Sequence, residues 1–213
     1  MFTIKKTRWA DRKADVLLIT GDGKTLPDDL KRFLDMGIKH EVMCLGRSIQ
    51  LYPFEVDHYA DVDADAGKWV VENLQKNHPE KGKPITHTLG DVPWFDVGWE
   101  IEDCPIQSDD ILWHGSSALF AVLIGLAMGY SKIVLAGCPM DSKGHWYFPD
   151  ETYGPKWTFE SYQSWFEFAA TEESKKVKSL SGYTKQLLGN FSIEDNISEE
   201  MCRIHRLMES GAI

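Results

Sequence analysis

The chain has 213 residues, a formal net charge of −10 at neutral pH and a hydrophobic fraction of 43%. That length gives one large domain, and 1–213 reads as a single unit able to bury a core without disulfide or metal staples. The acidic balance excludes a broad nucleic-acid-binding face, which needs clustered lysine and arginine.

The four cysteines, Cys44, Cys104, Cys138 and Cys202, are scattered with no C-x-x-C pair, so they indicate neither a zinc knuckle nor a disulfide framework. The amino terminus lacks the apolar core of a signal peptide. No apolar run reaches the roughly 20 residues of a membrane span. The expectation is a cytoplasmic protein with no membrane partner. A homo-oligomer is compatible with the sequence, which does not specify the oligomeric state.

Residues 14–20 form a short apolar run after a charged opening, and they predict the first strand. The run ends at Gly21-Asp22-Gly23-Lys24-Thr25, and residues 26–36 then carry helical spacing with Pro27 suited to the first turn. Strand, glycine-rich loop and helix is the layout of a phosphate-binding turn. A plain β-to-α turn has the same pattern, with glycine supplying backbone freedom.

Residues 41–45 predict a second strand, and Arg47 falls just past it, either as a phosphate fork or as a solvated arginine. Residues 58–63 predict a third strand. Asp61 and Asp63 would share one face there, and paired carboxylates suit Mg²⁺. The same two residues also suit a solvated strand end beside a helix cap. Asp65 is placed to cap a helix over 66–77.

Residues 85–89 predict another strand, with His87 as a satisfied core histidine. Residues 90–111 are irregular and rich in tryptophan, aspartate and proline, long enough for a segment that lies over a site.

The centre of the chain runs from His114 to Asp150. Ser116 and Ser117 precede an apolar run over 118–128 with no polar side, which predicts a fully buried helix ended by Gly129. Residues 133–136 are apolar and rich in β-branched side chains, as in a strand covered on both faces. Such an alternation predicts an α/β, Rossmann-like three-layer fold with a mostly parallel central sheet. Ligands in such sheets sit beyond the carboxyl ends of the strands, so the polar loop 137–148 is the predicted site.

Beyond it, residues 159–176 predict a helix with a buried aromatic face made by Phe159, Tyr162, Trp165, Phe166 and Phe168. A strand over 177–180, a short helix over 185–188 stopped by Gly189, and an amphipathic helix over 198–210 complete the reading.

Two blocks carry a family resemblance. They are Leu-Leu-Ile-Thr-Gly-Asp-Gly-Lys-Thr-Leu at 17–26 and Ser-Ser-Ala-Leu-Phe-Ala-Val-Leu-Ile-Gly-Leu-Ala-Met-Gly-Tyr-Ser-Lys-Ile-Val-Leu-Ala-Gly at 116–137. Together they resemble a superfamily of Rossmann-like transferases. It includes the bacterial sialyltransferases of the Campylobacter type, the 6-hydroxymethylpterin diphosphokinase-like proteins and small phage-encoded relatives. The resemblance implies that Gly21, Gly23 and Thr25 form the nucleotide-phosphate loop. It also implies that Ser117 contacts the nucleotide, that Gly137 is the glycine after the central strand, and that Tyr147 stands for a phosphate-binding tyrosine. The chain departs from the pattern at Lys24 in place of proline, at Ala118 in place of glycine, and in the missing asparagine after the second strand. Asp141 sits two residues later than the family aspartate, and the family's catalytic histidine has no clear counterpart.

From the residues themselves, Ser116 and Ser117 bring hydroxyls and free helix N–H groups to the site, although an ordinary helix cap uses the same atoms. Lys24 adds a charge. His145 and His114 are the candidate bases for an acceptor proton, with Asp141 to orient the base or bind a metal. The leading expectation is a transferase, most simply a glycosyltransferase, that takes a nucleotide or nucleotide-sugar donor to an unidentified acceptor. A Mg²⁺-dependent diphosphokinase with Asp61 and Asp63 as metal ligands is the second reading. A non-catalytic nucleotide-binding protein is the third.

Overall fold

The computed structural model describes residues 13–99, 116–141, 143–148 and 159–192. The elements in chain order are β1 (Val16–Thr20), α1 (Leu26–Leu34), β2 (Glu41–Leu45), α2 (Ser48–Leu51), β3 (His58–Asp61), α3 (Ala64–Asn77), β4 (Ile85–Leu89), β5 (Val97–Trp99), α4 (Ser117–Ala127), β6 (Lys132–Ala136), α5 (Phe159–Ala169), β7 (Val177–Ser179) and α6 (Gly182–Leu188).

The strands form one seven-stranded sheet in the order β5-β4-β3-β2-β1-β6-β7. Every pairing between these strands is parallel, in line with the expected mostly parallel sheet. The three central strands β1, β2 and β6 are buried along their whole length, as parallel strands covered on both faces must be. Alternation along them sorts side chains to two layers. Leu17, Ile19, Met43 and Leu135 pack with α4, Trp165 and Phe168. Leu18, Val42, Cys44 and Val134 pack on the other face with Leu26, Leu30 and Phe33 of α1 and Val70, Val71 and Leu74 of α3. The result is the expected three-layer α/β sandwich.

The chain steps outward from β1 to β5 in one direction, then returns to β6 beside β1 and continues to β7. The order therefore reverses between β1 and β6, and the crevice outside their carboxyl ends is where such sheets bind ligands.

Several elements differ from expectation. β3 stops at Asp61, and α3 begins at Ala64, capped by Asp63 rather than Asp65: the Asp63 side chain accepts Ala66 N–H at 3.1 Å. The earlier aspartate wins because the chain is still extended there. The irregular stretch contains an edge strand, β5, too short to show a hydrophobic period. α5 ends at Ala169, and Glu173–Lys176 is a separate 3-10 turn. Phe166 points outward at 49% exposure, leaving Trp165 and Phe168 as the fully buried aromatics among the described side chains of that helix. The helix expected over 198–210 lies outside the described residues. No helix among those described is long and apolar enough to cross a membrane.

Candidate functional site at the reversal of strand order

The turn after β1 and the loop after β6 lie side by side. Gly21 N–H donates to Ala136 O at 2.8 Å, Gly23 N–H to Gly137 O at 2.8 Å, and Lys24 N–H to Gly144 O at 3.2 Å. Trp146 N–H donates back to Asp22 O at 3.0 Å, and Gly23 and His145 form an antiparallel bridge. This approach requires glycine at 23, where a Cβ would stand 2.3 Å from Pro139 Cδ. The stitched turns wall a cavity of about 300 Å³. That is the low end for small-molecule sites, room for one part of a nucleotide sugar rather than all of it.

Of the residues singled out from sequence, Gly21, Gly23, Asp61, Ser116, Ser117, Gly137, Asp141 and His145 line this cavity. Lys24, Thr25, Asp63 and Tyr147 do not, and His114 lies outside the described residues. The stitching also revises the phosphate-loop expectation. The N–H groups of Gly21, Gly23 and Lys24 already face protein carbonyls, and the Thr25 hydroxyl donates to Asp29 Oδ2 at 3.0 Å and meets Ser181 Oγ at 2.8 Å. Asp29 also accepts Gly137 N–H at 2.9 Å and the Ser181 hydroxyl at 2.5 Å, so it ties α1, β6 and α6 together.

The two serines divide their tasks. Ser116 is the helix cap: its Oγ accepts Leu119 N–H at 3.3 Å and the Trp165 indole N–H at 3.1 Å, and it is only 4% exposed. Ser117 lines the cavity and makes no side-chain hydrogen bond among the described residues, so its hydroxyl is available to a ligand.

The residue at the heart of the site is Asp22, which sequence reasoning passed over inside its glycine loop. Its Oδ2 accepts Arg47 N–H at 3.0 Å and the Tyr147 hydroxyl at 3.5 Å. Its Oδ1 is buried without a partner among the described residues, and so are His145 Nδ1 and Trp146 Nε1. Burial holds the Asp22 carboxyl above the ordinary carboxylate range, opposed by the Arg47 N–H, by His145 and by the Trp146 indole N–H, which faces Asp22 but falls short of a well-formed hydrogen bond. Burial also raises the Asp61 carboxyl, which accepts the Tyr59 hydroxyl at 2.8 Å and Asp63 N–H at 3.0 Å. Native proteins satisfy most buried polar atoms, so the open Asp22 Oδ1 and His145 Nδ1 on one cavity wall mark a place built for something else. Met140, on the cavity wall, carries a φ of 56°, a strained backbone for a non-glycine residue and common where sites are held in shape.

Rings stack over the rim. His145 and Tyr147 lie parallel, with centroids 5.1 Å apart. The Arg47 guanidinium carbon sits 4.8 Å from the Tyr147 centroid and 5.6 Å from that of Trp69.

The residues do not fit the expected metal pair. Asp63 is occupied as the α3 cap, and the described residues contain no group of three or more His, Cys, Asp or Glu side chains placed to hold an ion. The two described cysteines are inert: burial pushes the Cys44 thiol up to about 12, and burial also raises Cys138 on the cavity wall.

Comparison with protein-family models, with curated proteins and with solved structures gives no match to this chain. The site therefore stands on its own chemistry.

Proposed function

We propose that the protein is a nucleotide-dependent group transferase, with transfer from a nucleotide-sugar donor as its reaction. The observation that carries this reading is the juxtaposition of Asp22 and His145. Two separate turns bring a carboxyl raised by burial and an imidazole to one cavity at the reversal of strand order. Group transfer needs one group to take the acceptor's proton and another to stabilise or protonate the leaving group. A histidine and a carboxyl raised by burial suit those tasks near neutral pH. Ser117 supplies a hydrogen bond to the donor, and Asp141 lines the same cavity. The likeness of residues 17–26 and 116–137 to nucleotide-using transferases points the same way.

The test is thermal unfolding of the full chain against nucleotides and nucleotide sugars, with and without Mg²⁺, followed by mass-spectrometric detection of donor cleavage. A nucleotide sugar should raise the melting temperature. Ser117→Ala should weaken that ligand by several-fold, which is the worth of one hydrogen bond, with the unliganded melting temperature unchanged. If no nucleotide or nucleotide sugar shifts the transition at millimolar concentration, the reading fails. Stabilisation by ATP only with Mg²⁺ would favour the diphosphokinase in its place.

A further inference from the structure

The phosphate-binding role expected of the Gly21–Thr25 turn is weakened, because the amides of Gly21, Gly23 and Lys24 face protein carbonyls and the Asp22 carboxyl sits in its centre. The same rim holds a different anion device. Arg47 follows β2, and its main chain is locked: Gly46 has a φ of 51°, and a Cβ there would lie 2.3 Å from Asp22 Oδ2. Its guanidinium lies between two aromatic faces, Tyr147 at 4.8 Å and Trp69 at 5.6 Å. Trp69 is itself 52% exposed, so it is not held at that position by the core. Among the described residues the guanidinium has no hydrogen bond and no carboxylate within ion-pair distance. Aromatic faces on both sides shed water from the flat of the cation and hold it in plane, leaving the edge N–H fork to meet an anion. The fork is one ring away from the cavity, since the Tyr147 hydroxyl reaches Asp22 Oδ2 at 3.5 Å.

We propose that Arg47, clamped between Trp69 and Tyr147, is the diphosphate-binding group of this site. It would grip a phosphoryl pair through two parallel N–H···O bonds. The assignment rests on the nucleotide reading only in taking the diphosphate to be that of the donor. It moves the phosphates from the β1 turn to the β2–α3 rim, so the cavity beside Asp22 and His145 receives the transferred group.

Isothermal titration of the full-length protein tests it with three probes: inorganic pyrophosphate, nucleoside diphosphates and the corresponding nucleosides. Arg47→Ala and Arg47→Lys should each weaken both diphosphate probes by roughly tenfold or more. The lysine variant loses affinity although it keeps the charge, because it lacks the fork and the stacking. Trp69→Ala, on an exposed ring, should weaken them to a lesser degree without unfolding the chain, and any nucleoside affinity should be unchanged in all three variants. Pyrophosphate binding that depends on Arg47, with no binding of any nucleoside diphosphate, would support the anion site and sink the nucleotide reading. Diphosphate affinity equal in wild type and both Arg47 variants would overturn the proposal while leaving the nucleotide reading in place. Failure of the wild-type protein to bind pyrophosphate or any nucleoside diphosphate overturns it as well.

Discussion

Two polar clusters in this fold, one buried and one half-buried, use the same side-chain types to opposite ends. One runs through the core from Glu41 and Tyr130, near the amino ends of β2 and β6, to Trp99 in β5. The Trp99 indole can only donate, and it does so to His87 Nδ1 at 2.9 Å. His87 must then carry its proton on Nε2 and donate to His58 Nδ1 at 3.1 Å. His58 in turn donates from Nε2 to the Tyr130 oxygen at 3.3 Å, and the Tyr130 hydroxyl donates to Glu41 Oε2 at 3.0 Å. Every proton has one place and every ring is neutral. The other cluster, at the carboxyl ends, is Asp22, His145, Trp146 and Tyr147. It leaves Asp22 Oδ1, His145 Nδ1 and Trp146 Nε1 without partners. A satisfied polar chain holds the fold together, whereas an unsatisfied one awaits a ligand.

The most damaging way to probe that difference is His87→Leu. It strands the Trp99 N–H and the His58 Nδ1 in a fully buried setting, and a loss of about 2–4 kcal/mol is expected in urea unfolding. A midpoint within error of wild type would show that the chain is incidental.

Acid probes the same contrast more gently. Burial pushes the His58 imidazole down to about 4, aided by Lys13 and opposed by Asp57, and it lowers His87 in the same direction. Below about 6.5 the unfolded chain takes up protons that the folded one refuses. The stabilisation is therefore full above that pH and is lost as pH falls toward 4, by about 3 kcal/mol for His58 alone. Asp22 and Asp61 act with the opposite sign. Their raised folded values favour the native state at the acidic end of the window and withdraw that support as pH rises. Urea midpoints between pH 7.5 and 4.5 should fall, and the His58 ring protons should titrate only near pH 4. Titration near 6.5 in the folded protein would refute the neutral chain.

How much of this was legible in the sequence depended on the kind of signal. Apolar runs such as 41–45 and 118–128 marked β2 and α4 because burial on all sides leaves no room for polar residues. The sheet reversal placed the loop after β6 at the site, and the strand-helix alternation already implied that arrangement. Asp29 was invisible, because a carboxylate in a first helical turn reads as a partner of the helix dipole. In the structure it binds Thr25 one turn away, and Gly137 and Ser181 across more than a hundred residues of chain. The histidine chain was equally hidden, since pairing His58 with His87 requires the β3–β4 register. Arg47 was noticed, but the two rings that distinguish it from a solvated arginine come from α3 and from the loop after β6.

Asp22→Asn is the smallest expected change in stability and the sharpest test of the comparison. Asparagine keeps a carbonyl oxygen for the Arg47 N–H and the Tyr147 hydroxyl, and it removes the penalty that burial places on the ionised carboxylate. Stability should stay within about 0.5 kcal/mol of wild type or rise, while donor turnover should be lost with the ionisable carboxyl. Functional sites commonly behave this way, because groups arranged for a ligand are not arranged for the empty fold. If the variant instead loses 2 kcal/mol or more, Asp22 is a structural acceptor like Glu41. The two clusters would then differ only in how completely their hydrogen bonds are made, and the orphaned atoms at the rim would lose their claim to mark a site.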